Sequence, residues 1–200
     1  MRTLEVSLAW MADGTTLCAK AIGELDEPSL LPSWTRKHVV AHLAANAEAL
    51  GNLVHWAKTG EETPMYTSPE QRNADIEAGA QLPADRVVAW FEESAQKLAQ
   101  SIGDLTEAQW ENQVRTAQGR EVPATEIPWM RTREVMIHAV DLGTGVSFHD
   151  LPVEFLEELC LDIRAKRGSV PEVQGPLPEV AAYLAGRPNV LNAEPLPPWL

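Results

Sequence analysis

Two hundred residues, 44% of them hydrophobic and seven of them tryptophan, fit one domain, or one domain with a small appendage, around a substantial core. A net charge of −13 and a pI near 4.8 argue against nucleic acid and anionic membranes as partners, and an anionic substrate would need a local cationic clamp. No apolar run reaches the roughly 18 residues of a membrane span, and the start, Arg2-Thr-Leu-Glu-Val-Ser, lacks a signal peptide's layout, so the expected location is the cytoplasm.

The first predicted helix covers about Leu4–Leu25, with Gly14 interrupting an imperfect apolar stripe. A loop through Pro32 feeds a second helix, N-capped by Ser33 or Thr35 and closed by Gly60. Its inner face carries Val39, His42, Leu43, Asn46, Leu50, Leu53 and Val54. Ser68-Pro-Glu-Gln opens a third helix with a cap, a proline at the first position and a capping-box glutamine; Gly79 is expected to end it. The fourth runs from after Pro83 to Ile102 with Val87, Phe91 and Leu98 inward. Residues 113–123 read as a small hairpin or an ordered loop around Gln118-Gly119.

The next helix begins near Thr125 or Pro128 and stops at Gly143. It is apolar over most of its circumference, yet carries Glu134 and His138 four residues apart, hence on one face. Such a pair is commonly a hydrogen-bonded couple or part of a solvated face; inside an apolar helix it can also be part of a metal site. Asp141 either orients His138 or accepts hydrogen bonds near the helix end. A third ligand has to come from elsewhere, and His42 on the second helix is the best placed; its other reading is a core histidine bonded to a backbone carbonyl or to Asn46. Arg131 and Arg133 flank Glu134 and point in different directions, so at most one faces the site. Cys18 and Cys160 sit in apolar helical contexts and read as small core residues, so any thiol chemistry has to come from a bound small molecule.

Four substantial helices with little strand signal make the fold mainly α, a four-helix bundle over residues 1–150. Residues 151–200 form a small appendage: a helix to Arg167, a Pro- and Gly-containing linker, a short helix over Glu179–Ala185 and a Pro-rich tail.

Several stretches resemble the mycothiol-dependent maleylpyruvate isomerases, which belong to the wider DinB-like bundle superfamily. They are Trp34-Thr-Arg-Lys-His-Val-Val-Ala-His-Leu-Ala-Ala-Asn, His55-Trp-Ala-Lys-Thr-Gly-Glu-Glu-Thr-Pro-Met-Tyr-Thr-Ser-Pro-Glu, Thr116-Ala-Gln-Gly-Arg and Trp129-Met-Arg-Thr-Arg-Glu-Val-Met-Ile-His-Ala-Val-Asp-Leu-Gly. The resemblance implies zinc at His42, Glu134 and His138, with an open position for the sulfur of mycothiol. It implies cis–trans isomerisation of maleylpyruvate to fumarylpyruvate in gentisate breakdown. The segment Gly175-Pro-Leu-Pro-Glu-Val-Ala-Ala-Tyr-Leu-Ala-Gly-Arg and the closing Pro-Pro-Trp-Leu resemble the family's C-terminal end, and imply that Arg187 is needed for activity as a grip on the dianionic substrate. Compared with family members the appendage reads as shortened. Alternatives on the same bundle are another mycothiol-dependent S-transferase and a non-catalytic metal-binding protein. The expected partners are the small dianion and a low-molecular-weight thiol, in a monomer or homodimer.

Overall fold

The computed structural model describes residues 2–199, so Leu200 of the closing Pro-Pro-Trp-Leu lies outside the described residues. Among the described residues two compact units emerge: Leu4–Thr144, and residues 145–199 together with residues 2–3.

The larger unit contains α1 (Leu4–Ala21), α2 (Arg36–Thr59), α3 (Pro69–Ala80), α4 (Ala84–Gly103), the single turn α5 (Glu107–Trp110), a hairpin of β1 (Gln113–Arg115) and β2 (Glu121–Pro123), and α6 (Ile127–Asp141). α1, α2, α4 and α6 are the bundle; α1 packs on α6, while α2 packs on α4, α6 and the short α3. Residues at periods of three and four bury one side of α4, with Val87, Phe91, Leu98 and Ile102 all in the core. α2 is buried over most of its surface, and its alanines at 41, 44, 47 and 57 let neighbours approach closely. The hairpin pairs Val114 with Val122, settling the choice between hairpin and ordered loop.

Two glycines expected to interrupt or end helices instead serve packing. Gly14 stays inside α1, where a Cβ would come 2.7 Å from Val135 Cγ2 on α6. Gly79 does not stop α3, which continues to Ala80; a Cβ there would meet Trp90 Cζ3 at 2.7 Å and Ala41 Cβ at 2.8 Å. The first helix ends at Ala21, not Leu25. Its continuation is a loop, held by Arg36 Nη1 donating to Glu24 O.

The start of α2 is tied to the end of α6. Arg36 Nε donates to Leu142 O at 2.8 Å, and Leu30 N–H donates to Asp141 O at 2.8 Å. Gly143 takes a left-handed φ of 67° beside Leu30, the usual glycine stop after a helix. These bonds satisfy carbonyls that α6 leaves open at its C-terminus, and they bring its last two turns beside the first two of α2.

The smaller unit holds α7 (Val153–Arg167) and α8 (Leu177–Leu184). After α8, Gly186 turns the chain with φ of 67°; a Cβ there would overlap Pro197 O, so the tail packs directly on this turn. Trp199 N–H donates to Ala185 O at 3.2 Å.

Candidate metal centre

α6 is buried from Ile127 to Asp141 with one exception: Glu134, whose side chain keeps 16% of its exposure. Across from it on α2 is His42, at 4%, and one turn along α6 is His138, at 2%. One ligand atom from each of the three can be chosen so that all lie within 4.8 Å of one another. Glu134 Oε2 sits 2.9 Å from His42 Nε2 and 3.3 Å from His138 Nε2, and the two imidazoles meet edge to face with centroids 4.9 Å apart. Side chains 92 residues apart in sequence thus share one point.

The donor set fits a divalent metal. His138 Nδ1 lies 2.8 Å from Oδ2 of Asp141, a residue with no exposure at all. Donation from Nδ1–H to that carboxylate fixes the tautomer and leaves the Nε2 lone pair for the shared point. His138 Nε2 is nevertheless buried without a hydrogen-bond partner; Glu134 Oε2 is near enough to attract it but not aligned to bond it. A buried nitrogen left over beside a carboxylate and a second imidazole is what three N/O ligands to one ion provide. Asp141 therefore orients the imidazole.

Charge follows the same pattern. Burial raises the Glu134 carboxyl, but the adjacent His138 and His42 imidazoles outweigh it and hold the group well below its ordinary range. Burial lowers His42, and the Glu134 contact only partly offsets this, so its imidazole is neutral, the form that binds metal. Burial also works to lower His138, yet Asp141 and Glu134 overcome it and push the group up.

Several neighbours were not legible in sequence. Trp34 tilts its ring against His42, centroids 5.7 Å apart. Arg72, on α3, brings Nη2 to 3.3 Å from His42 Nδ1. Tyr66 is hydrogen-bonded to Arg72 and Asn46; burial, then the Glu134 charge, raise its phenol. Arg72 and Tyr66 belong to a polar helix start and the loop before it, where no periodic signal marks an inward residue. Of the arginines flanking Glu134, Arg131 turns to α2, donating from Nη1 to Leu43 O and Asn46 Oδ1, while Arg133 lies over the Trp129 ring. His38 is occupied at the start of α2, accepting from Thr35 N–H at 3.2 Å, and His55 is on the surface. Arg187 stands in the other unit, on the turn after α8, buried and donating from Nη1 to Ala185 O at 2.8 Å. Burial pushes the Cys18 thiol up to about 12 and the Cys160 thiol to about 11, so both are inert core groups, as their contexts suggested.

The model of the mycothiol maleylpyruvate isomerase N-terminal domain matches residues 8–143. The chain belongs to that family. The matched span of this mycothiol maleylpyruvate isomerase domain contains His42, Glu134 and His138 and stops short of Arg187. Among solved structures, the crystal structure of the mycothiol-dependent maleylpyruvate isomerase is similar along the whole length, with 37% identity and a TM-score of 0.93 over 99% of this chain and 98% of that one. A histidine-to-alanine mutant of the same enzyme matches with the same TM-score and identity. The match runs nearly from end to end of both chains. A search of curated proteins found no match.

Proposed function

We propose that the protein is a thiol-dependent isomerase that converts maleylpyruvate to fumarylpyruvate, with mycothiol as its thiol. The observation that carries this reading is the convergence of His42, Glu134 and His138 in a chain that matches a mycothiol-dependent maleylpyruvate isomerase end to end. The reading places it in gentisate breakdown, in the cytoplasm, as a monomer or homodimer.

A cis alkene becomes trans only if its double-bond character is lost for a moment. A thiolate adding to the conjugated alkene supplies this, the electron pair resting as an enolate until the carbon–sulfur bond breaks and the trans alkene re-forms. Zinc held by His42, Glu134 and His138 would supply a Lewis acid that keeps a thiol deprotonated at neutral pH.

The chain's own groups do the rest. Glu134 stays anionic and His42 neutral, as ligands must be. Asp141 holds the His138 ring in place and its proton on Nδ1. Neither cysteine competes as a nucleophile. Arg187 is assigned the grip on a substrate carboxylate, for which the planar guanidinium offers two parallel donors.

The test is a spectrophotometric assay of maleylpyruvate with mycothiol, glutathione or cysteine as the added thiol. Turnover with mycothiol and none without thiol is expected. Full activity in a thiol-free assay, or no turnover with any of the three, would overturn the reading.

A further inference from the structure

His42 has a second partner whose bond to it cannot survive metal binding. Arg72 Nη2 lies 3.3 Å from Nδ1, on the ring nitrogen that does not face Glu134. A guanidinium carries donors and no acceptor, so Nδ1 accepts and the single imidazole proton sits on Nε2, donated to Glu134 Oε2. A metal on Nε2 would send that proton to Nδ1, which then has no lone pair for Arg72. A metal on Nδ1 would take that lone pair itself. Either way the bond between Arg72 and His42 is lost, and the guanidinium is left beside a dication.

Besides His42, Arg72 is hydrogen-bonded to Tyr66. Its Nη1 donates to the neighbouring Asn73 Oδ1 at 3.2 Å, and its Cζ lies 5.9 Å from the Tyr66 ring centroid. No ion pair described here uses it, and its side chain is only partly buried. Filling the metal site thus frees the Nη2 donor of a half-exposed guanidinium, in reach of the ion, on a chain whose net charge of −13 otherwise repels anions.

We propose that Arg72 is a substrate-carboxylate residue held in reserve by His42: occupation of the metal site releases its guanidinium to grip one carboxylate of the dianion beside the ion. The identity of the dianion rests on the isomerase reading; the release from His42 rests only on the hydrogen-bond geometry.

Two measurements on the full chain, with Arg72→Gln and Arg72→Lys, test it. The first is Zn2+ affinity by competition with a chromophoric chelator, without substrate. Arg72→Gln removes a contact that opposes the ion, and is expected to bind Zn2+ several-fold tighter; unchanged or weaker binding would overturn the release. The second is binding of succinate, a non-reactive dicarboxylate, to the Zn2+-loaded protein by calorimetry, alongside KM and kcat for maleylpyruvate. Arg72→Gln should weaken succinate and raise KM by about tenfold or more, with a smaller change in kcat, and Arg72→Lys should fall between. Equal succinate affinity in all three proteins would overturn the carboxylate role. If wild type turns over no maleylpyruvate, the isomerase reading fails while the Zn2+ and succinate arms still decide the role of Arg72. A misfolded Arg72→Gln would leave the decision to Arg72→Lys, for which wild-type succinate affinity and KM would overturn the proposal.

Discussion

Asp141→Asn isolates the support beneath the metal centre. The carboxylate is fully buried and stands 2.8 Å from His138 Nδ1, itself on a ring with 2% exposure. Losing such an outer partner typically weakens metal binding 10–100-fold, or about 1.4–2.7 kcal/mol at 1.36 kcal/mol per decade. Asparagine keeps an oxygen that can accept from Nδ1–H but removes the charge that makes the imidazole a stronger donor. The expected loss is therefore near the lower bound, about tenfold, for Asp141→Asn. It approaches 100-fold for Asp141→Ala, which leaves Nδ1–H without that acceptor. A second effect runs the other way. Asp141 is the leading cause that raises His138, so either variant lowers His138 and weakens proton competition. Working at alkaline pH, above the His138 titration in all three proteins, separates the two effects. The assay is Zn2+ competition against a chelator, with circular dichroism confirming the fold. Wild-type affinity in both variants would refute the claim that Asp141 acts through His138.

Four further outcomes follow. His138 is raised, so protons displace the ion as pH falls through a value above its ordinary 6.5, while Glu134, held well below 4.5, stays anionic; Zn2+ affinity measured across the neutral range should begin to fall above pH 6.5, and an onset near 4.5 would contradict this. Arg187→Ala should cut kcat/KM on the order of 10²-fold with Zn2+ content unchanged, and unaltered kinetics would remove Arg187 from the reaction. Gly79→Ala should cost about 1–3 kcal/mol in urea unfolding, because the new methyl meets Trp90 and Ala41 at under 3 Å in a close-packed corner. Cys18→Ala with Cys160→Ala should leave turnover intact, since with a pKa of about 12 only roughly 10⁻⁵ of Cys18 is thiolate at pH 7.

The bundle was legible because its signals are local. Thr35, Gly60, Ser68 and Gly143 mark helix ends by cap chemistry that any four-residue window contains, and each marks one in the structure. Gly79 misled for the opposite reason. Its role depends on Trp90 and Ala41, which approach it only in three dimensions, so the same residue type that stops α2 is a packing notch in α3. The site divides in the same way. A histidine on the inner face of α2 and a Glu–His pair on a buried helix are anomalies that periodicity exposes, and in the fold they meet. Asp141 could be placed three residues from His138 but not given one role until its bond to Nδ1 was seen. Arg72 carried no anomaly at all: it is a charged residue on a polar helix, and only the packing of α3 against α2 puts it beside His42.

The central claim is that His42, Glu134 and His138 share one ion. Elemental analysis of the purified protein and of His138→Ala tests it most directly. About one zinc per chain in the wild type, and little in the folded variant, is the predicted result. No zinc in the wild type, or equal zinc in both, would contradict the account.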